Sequence, residues 1–290
     1  MNSEQEWDIV SGIGITALAV AAGRAVETSR ADALAKDPYA VRFVEEAGSP
    51  LPLPTTVAEA SAIEGESSAP GVETYVAVRT RAFDDYFQRV LDAGVTQIVL
   101  LASGLDTRPF RLPWPGGTVV FETDQPLVLD FKTKVLRKYG ATTACDHRMV
   151  PVDLRLDWAA ALEKAGFDRT RPTAWLAEGL LPYLPPEAEE DLFHEIHRLS
   201  APGSRLAVEY VGDMRQALDS DIIRDNARSA GVDVSDLLHT DQRPAPGARL
   251  SVLGWETRDV PAQEAATGYG RPLGPDFLMR NAVYVFARRS

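Results

Sequence analysis

The sequence predicts an α/β protein: a doubly wound, mostly parallel sheet with N-terminal helices and an inserted cap. Three observations carry this. The apolar run Ile98-Val99-Leu100-Leu101-Ala102 stops at Ser103-Gly104, and a second, 118–122, stops just before Asp124. Short β-branched runs ended by turn chemistry read as parallel strands buried on both faces. Similar runs then alternate with helical stretches up to about residue 210, the rhythm of a doubly wound sheet with right-handed crossovers. Finally, Asp124 follows Gly104 by 20 residues, close to the glycine-to-acid spacing of nucleoside-binding βαβ units. Both should lie at one crevice beyond the carboxyl ends of the strands.

In chain order, 11–30 reads as an alanine-rich helix with Ser11 as N-cap. Asp37-Pro38 opens a second helix to about 47. In 48–70, Pro50, Pro52, Pro54 and Pro70 lie among Ser and Thr, a loop with one short helical turn and a candidate flap. Residues 72–93 form a long amphipathic helix, with Val76, Phe83, Phe87, Val90 and Leu91 at helical spacings and Gly94 as its stop. It carries Arg79 and Arg81, which spacing alone assigns to solvated surface.

After the first two strands come a helix over 126–139, a strand over 148–152 ending at Asp153-Leu154 and a helix over 157–165. A strand over 173–177 ends at Glu178-Gly179, followed by a helix over 185–199 and a strand over 205–210. The rhythm breaks over 211–275, where proline- and glycine-rich pieces suggest a cap or substrate segment, and 281–287 reads as a last strand. The expected organisation is one domain over 1–290. It has helices and flap to 94, a cofactor-binding core over 95–210, the cap over 211–275, and the final strand within 276–290.

The chain of 290 residues is 45% hydrophobic and 25% charged, with net charge −12. That balance supplies a sizeable core and argues against sequence-independent nucleic-acid binding, which needs a cationic footprint. The apolar stretch 15–22 is far short of a membrane span and follows Glu4, Glu6 and Asp8 rather than a basic flank, so no membrane role is expected. A single cysteine, Cys145, permits no intrachain disulfide and is compatible with the cytoplasm; it reads as a packing or surface residue.

The turn chemistry selects the cofactor. Dinucleotides want several glycines so that backbone N–H groups reach a pyrophosphate, but 102–107 has one glycine and an acid, Asp106. No triphosphate loop of the G-x-x-x-x-G-K-[ST] type is present either. A nucleoside cofactor without phosphate, S-adenosylmethionine (SAM), fits better. Its ribose and cationic groups call for acids, and Asp124, Asp153 and Glu178 stand at successive strand ends. Each alone would read as a turn-former or cap.

The blocks LLASGLDTRPFRLPWPGGTVVFETDQPLVLDFK, VPVDLR, AEGLLPYLP and WDIVSGIGITALAVAAGRA resemble the bacterial branch of the leucine carboxyl methyltransferase-like family of SAM-dependent methyltransferases. The resemblance spans nearly the whole chain and is weakest over 211–250. It implies a Rossmann-like methyltransferase fold in which Gly104 lines the cofactor and Asp124 takes the ribose hydroxyls. Asp153 would bond the adenine amino group, with Leu154 packing beside the base. Glu178 would sit near the methionine amino group, and Arg79 would pair with the methionine carboxylate, against its surface reading. Arg24, Arg30 and Lys36 compete for the place of a further basic residue that eukaryotic members use.

Methyl transfer is an in-line displacement in which positioning and desolvation do most of the work. A carboxylate acceptor needs no base, whereas a hydroxyl, amine or carbon can need one. Tyr183, just past the fourth strand, and Tyr210, after the fifth, are the candidate acceptor-side residues; Tyr75 and Trp175 read as core. His194 and His197 read as surface, and His239 in the cap is within possible reach of a substrate. No metal site is expected. A small secondary metabolite, methylated on oxygen, is the leading acceptor, with N- or C-methylation open. Protein carboxyl methylation and a non-catalytic SAM-binding role are alternatives, and a nicotinamide oxidoreductase is disfavoured by the missing glycines.

Overall fold

The computed structural model describes residues 14–49, 52–63, 71–212, 238–241, 243–274 and 277–290. Helices α1 (Gly14–Ser29), α2 (Ala40–Ala47), α3 (Val57–Ile63) and α4 (Val72–Asp92) precede the first strand. The expected cap Ser11 lies outside the described residues. Asp37 starts the turn into α2 by accepting the Tyr39 and Ala40 N–H groups, each at 3.1 Å. The short turn expected in the proline-rich loop is α3.

The alternating section runs β1 (Gln97–Leu101), α5 (Arg108–Arg111), β2 (Val119–Asp124), α6 (Pro126–Lys138), β3 (Asp146–Pro151), α7 (Trp158–Lys164), β4 (Thr173–Ala177), α8 (Pro186–Leu199) and β5 (Arg205–Val211). A 3₁₀ turn, Leu181–Tyr183, separates β4 from α8. Then come α9 (Pro246–Val252), β6 (Trp255–Pro261), α10 (Ala262–Gly268) and β7 (Ala282–Arg289).

The seven strands form one sheet in the order β3-β2-β1-β4-β5-β7-β6. Strands β1 to β5 are parallel, while β7 and β6 run antiparallel at one edge. The winding direction reverses between β1 and β4, the switch point at which open α/β sheets bind ligands. All five residues of β1 and of β4 are buried, because helices cover both faces. Alternate residues feed two cores: Val99, Phe121, Trp175 and Val208 pack towards α7 and α8, and Ile98, Val120, Leu176 and Ala207 pack towards α4.

The expected cap needs correction. Residues 255–261 are not part of an insertion but the edge strand β6, paired with β7 from Trp255–Arg289 to Pro261–Val283. Only Trp255 of that strand is buried. Its sequence WETRDVP is polar on both faces, as an exposed edge tolerates, and so it lacks the apolar signal of the other strands. Residues 213–237 of the same stretch lie outside the described residues.

Candidate functional site

Strand β1 ends in a strained turn. Ala102 has φ 48° and Gly104 φ 49°. The left-handed region suits glycine and is costly for alanine, and such strain gathers at functional sites. The turn is held by Ser103 N–H donating to Thr123 O at 3.0 Å and by Gly104 N–H donating to the Asp124 carboxylate at 2.6 Å. The other Asp124 oxygen accepts the Gln125 N–H at 2.7 Å. Gly104 and Asp124, paired on spacing alone, therefore touch. Burial raises the Asp124 pKa above its ordinary value, with the two N–H donors working the other way. The buried hydroxyls of Ser103 and Thr107 have no partner among the described residues, and orphaned polar atoms beside a turn suit a ligand.

Arg24 of α1 reaches the same turn. Its Nη2 donates to Leu105 O at 2.7 Å and its Nε to Asp37 at 2.8 Å. Of the three basic residues considered, only Arg24 arrives there; Arg30 lies with Glu27 and Asp32, and Lys36 is exposed.

A chain of charges fills the crevice between α4 and the ends of β4 and β5. Arg79 is 7% exposed, not a surface residue. Its Nε pairs with Glu178 at 2.8 Å and its Nη1 with both oxygens of Glu209 at 3.0 and 2.9 Å. Glu209 also accepts the Tyr75 hydroxyl and the Gly179 N–H, the latter at 2.7 Å. Glu178 pairs in turn with Arg108 at 2.8 Å, and Arg108 with Asp106 and Asp84. Arg111 joins Asp84 at 2.6 Å. Burial disfavours the charge of Arg79, but Glu209 and Glu178 outweigh it and hold its pKa above the usual range. Burial acts likewise against Asp106, yet Arg108, Lys132 and Arg111 bring it down to about 2. Beneath Asp124 lies a second buried pair, Lys132 with Glu122 at 2.7 Å, with His147 on the other Glu122 oxygen at 3.0 Å.

Asp153 lies at the end of β3 but its carboxylate is engaged by Arg155, with Nε at 2.9 and 3.0 Å. Burial opposes its charge and the Arg155 hydrogen bonds outweigh that, so its pKa lies below the usual value. Leu154 packs against the α7–α8 core.

Of the two tyrosines, Tyr183 belongs to the crevice: its hydroxyl donates to Thr16 Oγ1 at 3.0 Å, and burial raises its pKa. Tyr210 alternates to the other face of β5 and packs against the α7–α8 core, beside Glu189, Arg243 and Arg249. The two are therefore not brought together. The His239 N–H donates to Pro182 O at 2.8 Å, tying its segment to the Tyr183 turn. His194 is exposed, whereas His197 accepts the Trp255 indole N–H at 3.1 Å, so only His194 fits the surface reading. Burial pushes the Cys145 thiol up to about 11, which suits no nucleophile.

Sequence reasoning missed Glu209 and Arg108. A lone acid inside the apolar strand RLAVEYV was the available signal for the first, and an arginine in the turn beside Asp106 for the second. Tyr75 is core as expected, but its hydroxyl also donates to Glu209.

Among known proteins, residues 17–197 match the family model described as leucine carboxyl methyltransferase. A Saccharopolyspora erythraea protein called "Putative S-adenosyl-L-methionine-dependent methyltransferase" is 50% identical over 273 residues, covering 94% of this chain and 93% of its own. A Mycolicibacterium vanbaalenii protein of the same description is 44% identical over 302 residues, covering 99% and 98%. In fold, the chain resembles a crystal structure described as a putative methyltransferase from Thermobifida fusca. The TM-score is 0.56 at 18% identity, covering 93% of this chain and 94% of that one.

Proposed function

The chain belongs to the leucine carboxyl methyltransferase family and is a SAM-dependent methyltransferase; we propose that its acceptor is a small organic molecule methylated on oxygen. The cofactor side rests on one observation, the charge balance of the crevice. Asp84, Asp106, Asp124, Glu178 and Glu209 stand against Arg79, Arg108 and Arg111, an excess of two carboxylates in a buried setting. The bound cofactor supplies a sulfonium-activated methyl group and carries net positive charge, which that excess suits.

In this reading Asp124, already fixed by two backbone N–H donors, accepts the ribose hydroxyls on its remaining lone pairs. Gly104 lets the backbone approach the nucleoside. Asp153 and Leu154 take the adenine amino group and ring face. Glu178 attracts the methionine ammonium. Arg79 offers the Nη2 edge of its guanidinium, the edge not turned to Glu209 or Glu178, to the methionine carboxylate. Tyr183 closes the crevice over α1 and meets the acceptor, whereas Tyr210, on the other face, has a weaker claim.

Oxygen methylation is supported by the acceptor-side chemistry. Burial makes Tyr183 harder to ionise, so it is a poor base at neutral pH. An acceptor bringing its own carboxylate or acidic hydroxyl needs none. The description of the family supports a second reading, methylation of a protein carboxylate.

Transfer of radiolabelled methyl groups from SAM tests this. The acceptors are small carboxylic acids, phenols and a peptide ending in a free leucine carboxylate. Labelled small acids or phenols are the expected result. Label on the peptide alone moves the acceptor to protein, and label found only on nitrogen or carbon overturns the oxygen assignment.

A further inference from the structure

At the far end of the sheet from the crevice, a groove of about 690 Å³ opens between α4, α10 and the strands β5, β7 and β6. Four arginines line it: Arg89 in the last turn of α4, Arg205 at the start of β5, Arg258 in β6 and Arg288 in β7. None forms an ion pair among the described residues. The lining carboxylates, Glu256 and Glu264, are two, so the groove holds an excess of two positive charges in a chain of net charge −12.

Arg89, Arg258 and Arg288 are exposed and Arg205 is half-buried, yet solvation alone does not explain their placement. Arg205 and Arg288 are direct cross-strand partners, a placement in which like charges repel; Arg288 faces Glu256 across its other strand, which leaves Arg205 with no opposite charge among its cross-strand partners. The Nε of Arg205 is buried and has no hydrogen-bond partner among the described residues. Arg89 lies over the ring of Phe286, 5.6 Å from its centroid, and Phe286 is itself the cross-strand partner of Arg258. The guanidiniums thus converge from a helix and three strands on one concavity, and its volume lies within the range of small-molecule sites, roughly 300–1,000 Å³.

We propose that this groove is a second ligand site, separate from the methyl-transfer crevice, for a small molecule carrying a diphosphate. The lining cations are all arginines, whose planar forks match phosphate oxygens in pairs, which the point charge of lysine does not. Adjacent strands lie about 4.8 Å apart, so Arg205 and Arg288 can straddle two linked phosphates. A bound dianion would relieve their repulsion and satisfy the orphaned Nε. A nucleic-acid strand is disfavoured by the overall acidity of the chain.

The test is calorimetry on the full chain at low salt, with inorganic pyrophosphate as the probe. The expected result is saturable one-site binding that weakens as salt is added. It should be unchanged when S-adenosylhomocysteine saturates the crevice, and weaker by about tenfold or more in the Arg205→Gln/Arg288→Gln variant. Unchanged S-adenosylhomocysteine affinity in that variant shows that its fold is intact. Should it not fold, the exposed pair Arg258→Gln/Arg288→Gln carries the same expectation. The proposal is overturned by no saturable binding at millimolar pyrophosphate, by equal binding to the variants, or by displacement with S-adenosylhomocysteine. Equally tight binding of citrate overturns the assignment to phosphate.

Discussion

Two groups of arginines share one face of the sheet and live in opposite electrostatic settings. Near the carboxyl ends of the parallel strands, Arg79, Arg108 and Arg111 are each held by carboxylates within 2.9 Å; Arg79 and Arg108 lie buried and Arg111 half-buried. At the other end Arg89, Arg205, Arg258 and Arg288 meet no carboxylate within ion-pair distance among the described residues. Residue type is the same; the companions differ. Where acids outnumber arginines, the arginines act as struts that orient the carboxylates, and they outweigh burial to hold Asp84 and Asp106 below the usual carboxylate range. Where arginines outnumber acids, the surplus is available to an anion. A count of arginines therefore says nothing about ligand charge until each has been assigned its partners.

The sharpest way to break the contrast is to remove a strut. Glu209→Ala strips partners from the Arg79 guanidinium, the Tyr75 hydroxyl and the Gly179 N–H at once. Unpairing a buried charge predicts a stability loss of about 3–5 kcal/mol in a denaturant titration. A loss under 1 kcal/mol, as at an exposed pair, would erase the distinction between the two groups.

Next comes Asp124→Asn, which keeps the shape and removes the charge. Binding of S-adenosylhomocysteine should weaken by about 1.5–3 kcal/mol, the worth of a hydrogen bond to a charged group. The pH dependence follows from burial. A pKa raised in the folded state means that the native chain holds the proton more tightly than the unfolded one. Asp124 thus gives its full contribution to folding below 3.8 and loses it as pH rises through the raised value. Ribose binding has the opposite sign, because it uses the ionised form. Affinity should fall as pH is lowered through the range just above 3.8, and the asparagine variant should flatten that part of the profile.

Tyr183→Phe removes one hydrogen bond to Thr16, so a loss of about 1 kcal/mol is expected in thermal unfolding. A lower kcat with unchanged cofactor affinity would place its hydroxyl at the acceptor. At the unpaired end, Arg258→Gln should change stability by less than about 0.5 kcal/mol, the scale of surface substitutions.

The strands around the crevice were legible because both faces of each are buried, which writes continuous apolar runs into β1, β2 and β4. Edge strand β6 is wet on both sides and left no such trace. Gly104 and Asp124 were legible because local geometry forces their contact: a turn after one strand and an acid at the end of its neighbour. Asp153 was singled out by the same logic, but nothing in the strand before it announced that Arg155 would engage it. Glu209 escaped for a different reason. Its role depends on Arg79 and Tyr75, brought against it only by tertiary packing, so no short motif contains the site. The reach of Arg24 to Leu105 is hidden in the same way, since three basic residues compete and only the packing of α1 separates them.

The bond between Arg79 and Glu209 joins residues 130 apart in sequence. The chain is made from its N-terminus, so α4 leaves the ribosome long before its acidic partner exists. Through that interval Arg79 and Tyr75 have no Glu209 to meet, and the crevice cannot assume its final charge. On the proposed reading of the crevice, competence to bind cofactor is acquired late in synthesis, once β5 lies beside β4. A chain broken off just before residue 209 would carry the whole matched family region, residues 17–197, and still lack the acid that pairs with Arg79.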